Sequence, residues 1–156
     1  MEIERKFLIP ALPPDLEQFP HTRIEQAYIA IDDTGTEVRI RRRAEETSLT
    51  IKGGRGRSRA EEELEIDPGR FERLWQLSGG RSLEKTRYEI AGEGGLTSEL
   101  DLYGGVLEGL ATAEVEFPSE DAAERFVAPS WFGQDVTDDD AYKNRRLAVD
   151  GRPGDA

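Results

Sequence analysis

Charged and apolar side chains alternate with a period of two residues along most of the chain, which is the pattern of half-buried β-strands. Turn-forming glycine and aspartate residues separate most of these segments. The strands predicted from this pattern are Met1–Leu8, Ile24–Ile31, Glu37–Arg43, Ser48–Lys52, Glu61–Ile66, Lys85–Ile90, Glu99–Tyr103 and Thr112–Phe117. Because the connections are mostly short, neighbouring strands are expected to run antiparallel.

Two helices are predicted between the strands. Asp67 is a suitable N-cap with Pro68 in the first helical position, and an apolar stripe follows. Ser119 is a suitable N-cap for the second helix. A short helical turn is expected within Pro10–Phe19, and the tail is expected to pack against the sheet through its aromatic pair, Trp131 and Phe132. The sequence contains neither an internal repeat nor a linker, so residues 1–156 are predicted to form a single domain.

The polar face of the predicted sheet is almost wholly ionic, and its charges are segregated by strand. Arg39 and Arg41 share a face of one strand, and acidic pairs take the same place in others. The predicted strand Ile24–Ile31 alternates less regularly, but Gln26 and Tyr28 are two residues apart and are therefore expected on the same face. In any single strand, such a row of charged residues could simply be a solvated face with weak surface ion pairs. Seven strands that obey the same parity instead favour a charged cavity lined by this face. The opposite, apolar face is then expected to meet the helices through Ile3, Phe7, Ile40, Ile51, Leu64, Leu100 and Val115.

Charge and composition narrow the partners of such a cavity. The chain has 33 acidic and 21 basic residues, a formal net charge of -12, which argues against binding to nucleic acid or to an anionic membrane. It contains no cysteine and one histidine, so a metal ion would be held by carboxylate oxygens, as suits Mg²⁺ or Mn²⁺. Rows of arginine and lysine suit phosphate oxygens. With no long apolar run and no leader sequence, a cytoplasmic location is expected.

Seven segments in order resemble the CYTH domain, or triphosphate tunnel metalloenzyme, superfamily. The first is the N-terminal Glu-x-Glu-x-Lys motif, Glu2-Ile3-Glu4-Arg5-Lys6. The others are Val38-Arg39-Ile40-Arg41, Thr50-Ile51-Lys52, the Glu61/Glu63 strand, Glu84-Lys85-Thr86-Arg87-Tyr88, Glu99-Leu100-Asp101 and Glu114-Val115-Glu116-Phe117. The resemblance implies an α+β fold, an eight-stranded antiparallel β-barrel or tunnel with flanking helices, and action on triphosphates with Mg²⁺ or Mn²⁺.

The resemblance also implies roles for individual residues. Those expected to bind triphosphate oxygens are Lys6, Arg39, Arg41, Lys52, Lys85 and Arg87. Those expected to hold a metal ion that bridges the phosphates are Glu2, Glu114 and Glu116. Glu4, Glu61 and Glu63 are expected to hold a second metal ion or to orient water, and Asp101 fits either acidic set. Lys143 resembles a segment that closes one end of the tunnel, as a cap or as a substrate ligand.

The predicted activity is hydrolysis of a small-molecule triphosphate, most plausibly inorganic tripolyphosphate, by in-line attack of water. The water is positioned either by a second metal ion or by Lys85 together with Glu4. Alternatives within the same fold are a class IV adenylyl cyclase and a thiamine triphosphatase. A non-catalytic module that binds polyphosphate or a nucleotide is the third possibility, although so many carboxylates would weaken anion binding in the absence of metal.

Overall fold

A computed structural model of the chain describes residues 3–53 and 60–154. All eight predicted strands are present there, the first of them from Ile3 onward, because Met1 and Glu2 lie outside the described residues. The strands are β1 (Ile3–Leu8), β2 (His21–Ile31), β3 (Glu37–Arg43), β4 (Glu46–Gly53), β5 (Ala60–Glu65), β6 (Ser82–Ala91), β7 (Thr97–Tyr103) and β8 (Ala111–Phe117). The α-helices are α1 (Pro68–Gln76), α2 (Glu120–Arg125) and α3 (Asn144–Asp150). Short 3₁₀ turns occur at Leu16–Gln18, Glu93–Gly95, Gly105–Leu107 and Asp140–Tyr142.

The strands form one antiparallel sheet in the order β1-β8-β7-β6-β2-β3-β4-β5. The predicted eight-stranded α+β fold is confirmed, but the predicted closure into a barrel is not, because β1 and β5 are the edges of an open sheet. The outer edge of β1 is already occupied by the chain that follows α2. The Leu8 amide donates to the Gln134 carbonyl and the Val136 amide donates to the Lys6 carbonyl, both at 2.8 Å. This segment takes the backbone groups that a closing strand would need.

The described residues fall into two compact units, each built from two stretches of chain. The first unit comprises Met1–Thr22 and Lys85–Asp140, and the second comprises Arg23–Glu84 and Ala141–Ala156. The single-domain organisation stays a prediction. No helix within residues 3–53 or 60–154 is both long and apolar enough to span a membrane.

The core of the first unit lies on the apolar face of its strands. Leu100 and Ala113 are fully buried there, and Trp131 and Phe132 from the tail pack against them, as predicted. In a neighbouring apolar cluster, Val115 packs together with residues of α2. The N-cap of α2 is confirmed, since the Ser119 hydroxyl accepts from a backbone amide in the first turn at 3.0 Å.

The core of the second unit is smaller and covers only part of its sheet. Ile40 of β3 packs against Phe71 of α1, and both side chains are buried. The predicted N-cap of α1 is confirmed, since the Asp67 side chain accepts from the Arg70 amide at 2.7 Å. Two residues predicted to meet helices are instead exposed: the exposed fraction is 42% for Ile51 and 49% for Leu64. Nine residues of helix extend about 14 Å, too little to cover both outer strands of this unit.

Helix α3 was not predicted. This seven-residue helix belongs to the second unit, and its one fully buried apolar side chain is Leu147. One buried residue gives no helical period, so the sequence alone does not distinguish this helix from an irregular tail.

Candidate functional site

Alternation along the strands puts the chemically interesting residues on one side of each unit, here called the ionic face. In the first unit it carries Glu4, Lys6, Lys85, Arg87, Glu89, Glu99, Asp101, Glu114 and Glu116. In the second unit it carries Gln26, Tyr28, Glu37, Arg39, Arg41, Lys52, Glu61 and Glu63. Glu2 lies outside the described residues, so its predicted metal-binding role stays a prediction.

Asp101 is a charged group buried in the first unit, with 3% of its surface exposed. Arg87, its direct partner on the neighbouring strand, donates from Nε to Oδ1 at 2.8 Å and from Nη2 to Oδ2 at 2.9 Å. Lys85 lies on the same face two residues earlier, and its Nζ is 2.8 Å from Asp101 Oδ2. One carboxylate therefore holds two cations in fixed directions.

Electrostatics keeps this cluster ionised. Burial alone raises the pKa of Asp101, but the charge of Lys85 and the hydrogen bonds and charge of Arg87 outweigh it, so the pKa falls well below its usual range. Burial likewise opposes the charge of Arg87. The hydrogen bonds and charge of Asp101, helped by Glu99 and Glu114, outweigh it and raise the arginine pKa. Asp101 and Arg87 are therefore both charged at neutral pH.

The ring of Tyr103 lies near the end of the Lys85 side chain. Lys85 Nζ lies 5.7 Å from the centre of the Tyr103 ring, its cross-strand partner. Thr112 is also buried and lies opposite Asp101 on β8. Burial raises the pKa of Tyr103 far above its ordinary value, and the Asp101 charge adds to the shift. The Tyr103 hydroxyl therefore stays protonated.

Carboxylates lie opposite one another elsewhere on the ionic face of the first unit. Glu4 on β1 is the direct partner of Glu116 on β8, and Glu99 on β7 is the direct partner of Glu114. Lys6 Nζ lies 3.6 Å from Glu114 Oε1. Like charges placed directly opposite destabilise a sheet unless a cation lies near them. Oxygen-only donors in this arrangement fit a hard divalent cation such as Mg²⁺ or Mn²⁺.

The described residues do not by themselves assemble a complete metal cage. Within residues 3–53 and 60–154, no three acidic or histidine side chains are grouped closely enough to hold a metal ion. The predicted metal ligands Glu4, Asp101, Glu114 and Glu116 all belong to this ionic face, but their ligand roles stay predictions.

The register separates Lys85 from Glu4. Lys85 lies opposite Tyr103, whereas Glu4 lies opposite Glu116. Two rows of the ionic face lie between them, one with Asp101 and the other with Glu99. The register thus gives no support to a single water held by both side chains, and their joint catalytic role stays a prediction.

The ionic face of the second unit is built around Arg41. Its Nε and Nη2 donate to the Gln26 side-chain oxygen, at 3.3 and 3.1 Å. The Gln26 side-chain nitrogen donates to the Tyr28 hydroxyl at 3.0 Å, and both Gln26 and Tyr28 are almost completely buried. Burial raises the pKa of Tyr28, and the charge of Arg39 only partly offsets this.

The remaining cations of this face are positioned by strand pairing. Arg39 lies opposite Thr50, and its buried Nε has no hydrogen-bond partner among the described residues. A buried, unpaired guanidinium donor is costly unless a ligand satisfies it. Lys52 lies between Glu37 on β3 and Glu61 on β5.

Three predicted site residues of the second unit lie in exposed positions. Glu61 and Glu63 belong to β5, whose side chains are all exposed. Lys143 is the exposed residue that precedes α3. None of the three has its predicted role tested by this arrangement.

Two arginines that the predicted parity places on the opposite face confirm the parity. The Cζ of Arg5 lies 5.0 Å from the centre of the Phe7 ring, and its guanidinium pairs with Asp135 at 2.8 Å. The Cζ of Arg42 lies 4.4 Å from the centre of the Phe71 ring in α1. Both therefore belong to the helix-bearing side.

Sequence reasoning passed over several residues of the ionic face. Glu37, Tyr103 and Thr112 are buried there although none was named as a candidate. Each lies two residues from a named one, so parity alone was a sufficient signal. What they contact depends on strand pairing, which the alternation does not reveal.

Comparison with known proteins assigns the family. The CYTH domain model matches residues 1–137. The inorganic triphosphatase of Nitrosomonas europaea is 44% identical over 149 residues, which cover 95% of this chain and 97% of that protein. The inorganic triphosphatase of Acetivibrio thermocellus is 36% identical over 94% of this chain and 92% of its own length. The crystal structure of the inorganic triphosphatase NE1496 matches at 40% identity with a TM-score of 0.79, covering 96% of this chain and 95% of that chain. The chain belongs to the CYTH domain family.

Proposed function

We propose that the protein is a divalent-metal-dependent hydrolase of inorganic tripolyphosphate. The observation that carries this proposal is the 44% identity, over nearly the full length of both chains, to the inorganic triphosphatase of Nitrosomonas europaea. Water attacks a terminal phosphorus in line, the bond to the bridging oxygen breaks, and phosphate and pyrophosphate leave. Such a reaction needs positioning and charge neutralisation more than covalent chemistry from the protein.

The basic residues of the ionic faces bind the phosphate oxygens. They are Lys6, Lys85 and Arg87 in the first unit, and Arg39, Arg41 and Lys52 in the second, with Lys143 as a further ligand. The unpaired Nε of Arg39 supports this role, because a phosphate oxygen would satisfy it. In the first unit, Asp101 holds Lys85 and Arg87 so that both cations are in place before substrate arrives.

The acidic residues divide into two roles. Glu114 and Glu116, together with Glu2, are proposed to hold a divalent ion, Mg²⁺ or Mn²⁺, and Glu4, Glu61 and Glu63 to hold a second ion or to orient water. The bound ion supplies charge neutralisation to the phosphate oxygens. Asp101 differs from this set, because both of its oxygens already face cations at 2.8–2.9 Å. That supports a positioning role for Asp101 in preference to metal ligation.

The test is a panel of substrates. Purified protein is incubated with tripolyphosphate, pyrophosphate, ATP or thiamine triphosphate, each with Mg²⁺ or Mn²⁺, and released phosphate and cyclic AMP are measured. Tripolyphosphate is expected to give the highest kcat/KM. Faster turnover of thiamine triphosphate, or cyclic AMP from ATP, would replace this proposal with the corresponding alternative, and binding without turnover would indicate a non-catalytic module. A cytoplasmic location stays a prediction.

A further inference from the structure

Gln26 is a neutral side chain on the ionic face of the second unit, and it is fully buried. Both ends of its amide are used. The oxygen accepts two hydrogen bonds from Arg41, and the nitrogen donates to the Tyr28 hydroxyl. Burying an amide is unfavourable unless its groups are paired, so a methionine or leucine would fill the same space at lower cost. The amide therefore does something that packing alone does not need.

The geometry of the contact fixes the orientation of the guanidinium. Nε and Nη2 of Arg41 define one edge of a planar group, and both point to the same oxygen of Gln26. With this edge held, the plane of the guanidinium and the direction of its opposite edge are set. Tyr28, itself buried, fixes the other end of the amide, so the arrangement is anchored in the sheet.

The neutrality of Gln26 matters as much as its geometry. In the first unit the carboxylate of Asp101 orients Arg87 but also neutralises positive charge. The amide oxygen of Gln26 orients Arg41 without itself bringing a negative charge to the guanidinium. The second unit thus contains an uncharged support for one of its arginines.

We propose that Gln26 is a positioning residue that holds the Arg41 guanidinium in the direction in which it binds a phosphate group of the substrate. This inference rests on the proposed function, because it takes Arg41 to be a phosphate ligand. Gln26 itself does not touch the substrate in this scheme. Its contribution acts through Arg41 and disappears when Arg41 is removed.

The test is a double-mutant cycle with Gln26→Met and Arg41→Ala. The variants are compared by their KM and kcat for tripolyphosphate, and by the dissociation constant of tripolyphosphate measured by calorimetry without metal. Gln26→Met removes both hydrogen-bonding ends at nearly constant volume. It is expected to raise KM and the dissociation constant about tenfold in the wild-type background, and less than about twofold in the Arg41→Ala background. Gln76→Met, the same exchange at an exposed position of α1, is the matched control and is expected to change neither.

Each outcome decides the question. An equal effect of Gln26→Met in both backgrounds, or no effect in the wild-type background, would overturn the positioning role. If Gln26→Met fails to fold by thermal unfolding, Gln26→Asn, which keeps the amide but withdraws it by one methylene, runs the same cycle with the same expectations. A wild-type protein that binds tripolyphosphate without hydrolysing it would overturn the proposed hydrolase activity. The double-mutant cycle on the dissociation constant would then still test the positioning role of Gln26. Absence of any binding would overturn both.

Discussion

Arg87 and Asp101 are direct partners on neighbouring strands and form a two-point ion pair, with Nε on Oδ1 at 2.8 Å and Nη2 on Oδ2 at 2.9 Å. The pair is buried: 11% of the Arg87 side chain and 4% of the Asp101 side chain are exposed. Because Lys85 approaches the same carboxylate, loss of Asp101 would remove one buried anion that two cations contact. The ion pair therefore links the stability of the first unit to the orientation of its two cations, Lys85 and Arg87.

Asp101→Asn is expected to lower the free energy of unfolding by about 3–5 kcal/mol, because it removes the buried carboxylate that both Lys85 and Arg87 contact. It is also expected to raise the KM for tripolyphosphate, since Lys85 and Arg87 lose their fixed directions. Urea unfolding and steady-state kinetics measure the two effects. The matched control is Glu84→Gln, which breaks an exposed ion pair with Arg23 and should cost less than about 1 kcal/mol.

That comparison also separates positioning from metal ligation. If Asp101 were a metal ligand, excess Mg²⁺ would restore much of the activity of Asp101→Asn. A positioning role predicts that the KM defect persists at saturating Mg²⁺. Full rescue by the metal ion would contradict the positioning role.

Acid stability should depend on Asp101. Its pKa is lowered in the folded protein, so the carboxylate contributes its full stabilisation above the unfolded-state pKa of about 3.9 and loses it as pH falls from there toward the folded-state value. Over that window the wild-type free energy of unfolding should include a fall of about 1.4 kcal/mol per pH unit from this group. Unfolding curves between pH 2 and 6 measure it. Asp101→Asn should lack this part of the slope, and parallel slopes for the two proteins would refute the assignment.

The sequence allowed the ionic face to be predicted but not the partners within it. The parity of Glu99 and Asp101 is visible in the alternation, as is that of Arg41. That Asp101 lies opposite Arg87 follows from strand pairing, to which distant parts of the chain contribute. The open edge of the sheet was unpredictable for the same reason, because it also depends on pairing between distant segments. The irregular segment that pairs with β1 lies about 130 residues further along the chain and has no periodic pattern of its own.

Removal of divalent metal is expected to abolish tripolyphosphate hydrolysis, because the carboxylates of the first unit's ionic face then repel both one another and the substrate. Glu116→Gln, which keeps the shape but removes the charge, should raise the Mg²⁺ concentration needed for half-maximal activity by at least tenfold. Phosphate release is measured across a Mg²⁺ titration, with an excess of EDTA as the metal-free point. The control is Glu124→Gln on an exposed position of α2. Substantial activity in EDTA, or an unchanged titration for Glu116→Gln, would contradict the proposed metal site.

Arg41 and Arg42 provide the sharpest comparison, because adjacent residues of β3 point to opposite faces and each exchange to alanine removes one positive charge. Arg41→Ala removes a guanidinium from the ionic face and is expected to raise the KM for tripolyphosphate about ten- to a hundredfold. Arg42 instead lies over Phe71 and pairs with Glu72 at 2.6 Å. Its loss should leave KM unchanged within about twofold, but should lower the free energy of unfolding by about 1–2 kcal/mol through lost cation–π and ion-pair contacts.

Steady-state kinetics and urea unfolding on both arginine variants make the comparison. A general effect of net charge on substrate attraction cancels between them, because the two changes in charge are equal and adjacent. Equal increases in KM would mean that the cations act only through a diffuse field. A larger increase for Arg42→Ala would mean that the substrate binds on the helix-bearing face. A KM effect confined to Arg41→Ala, with a stability effect from Arg42→Ala, is the result that the register of β3 requires.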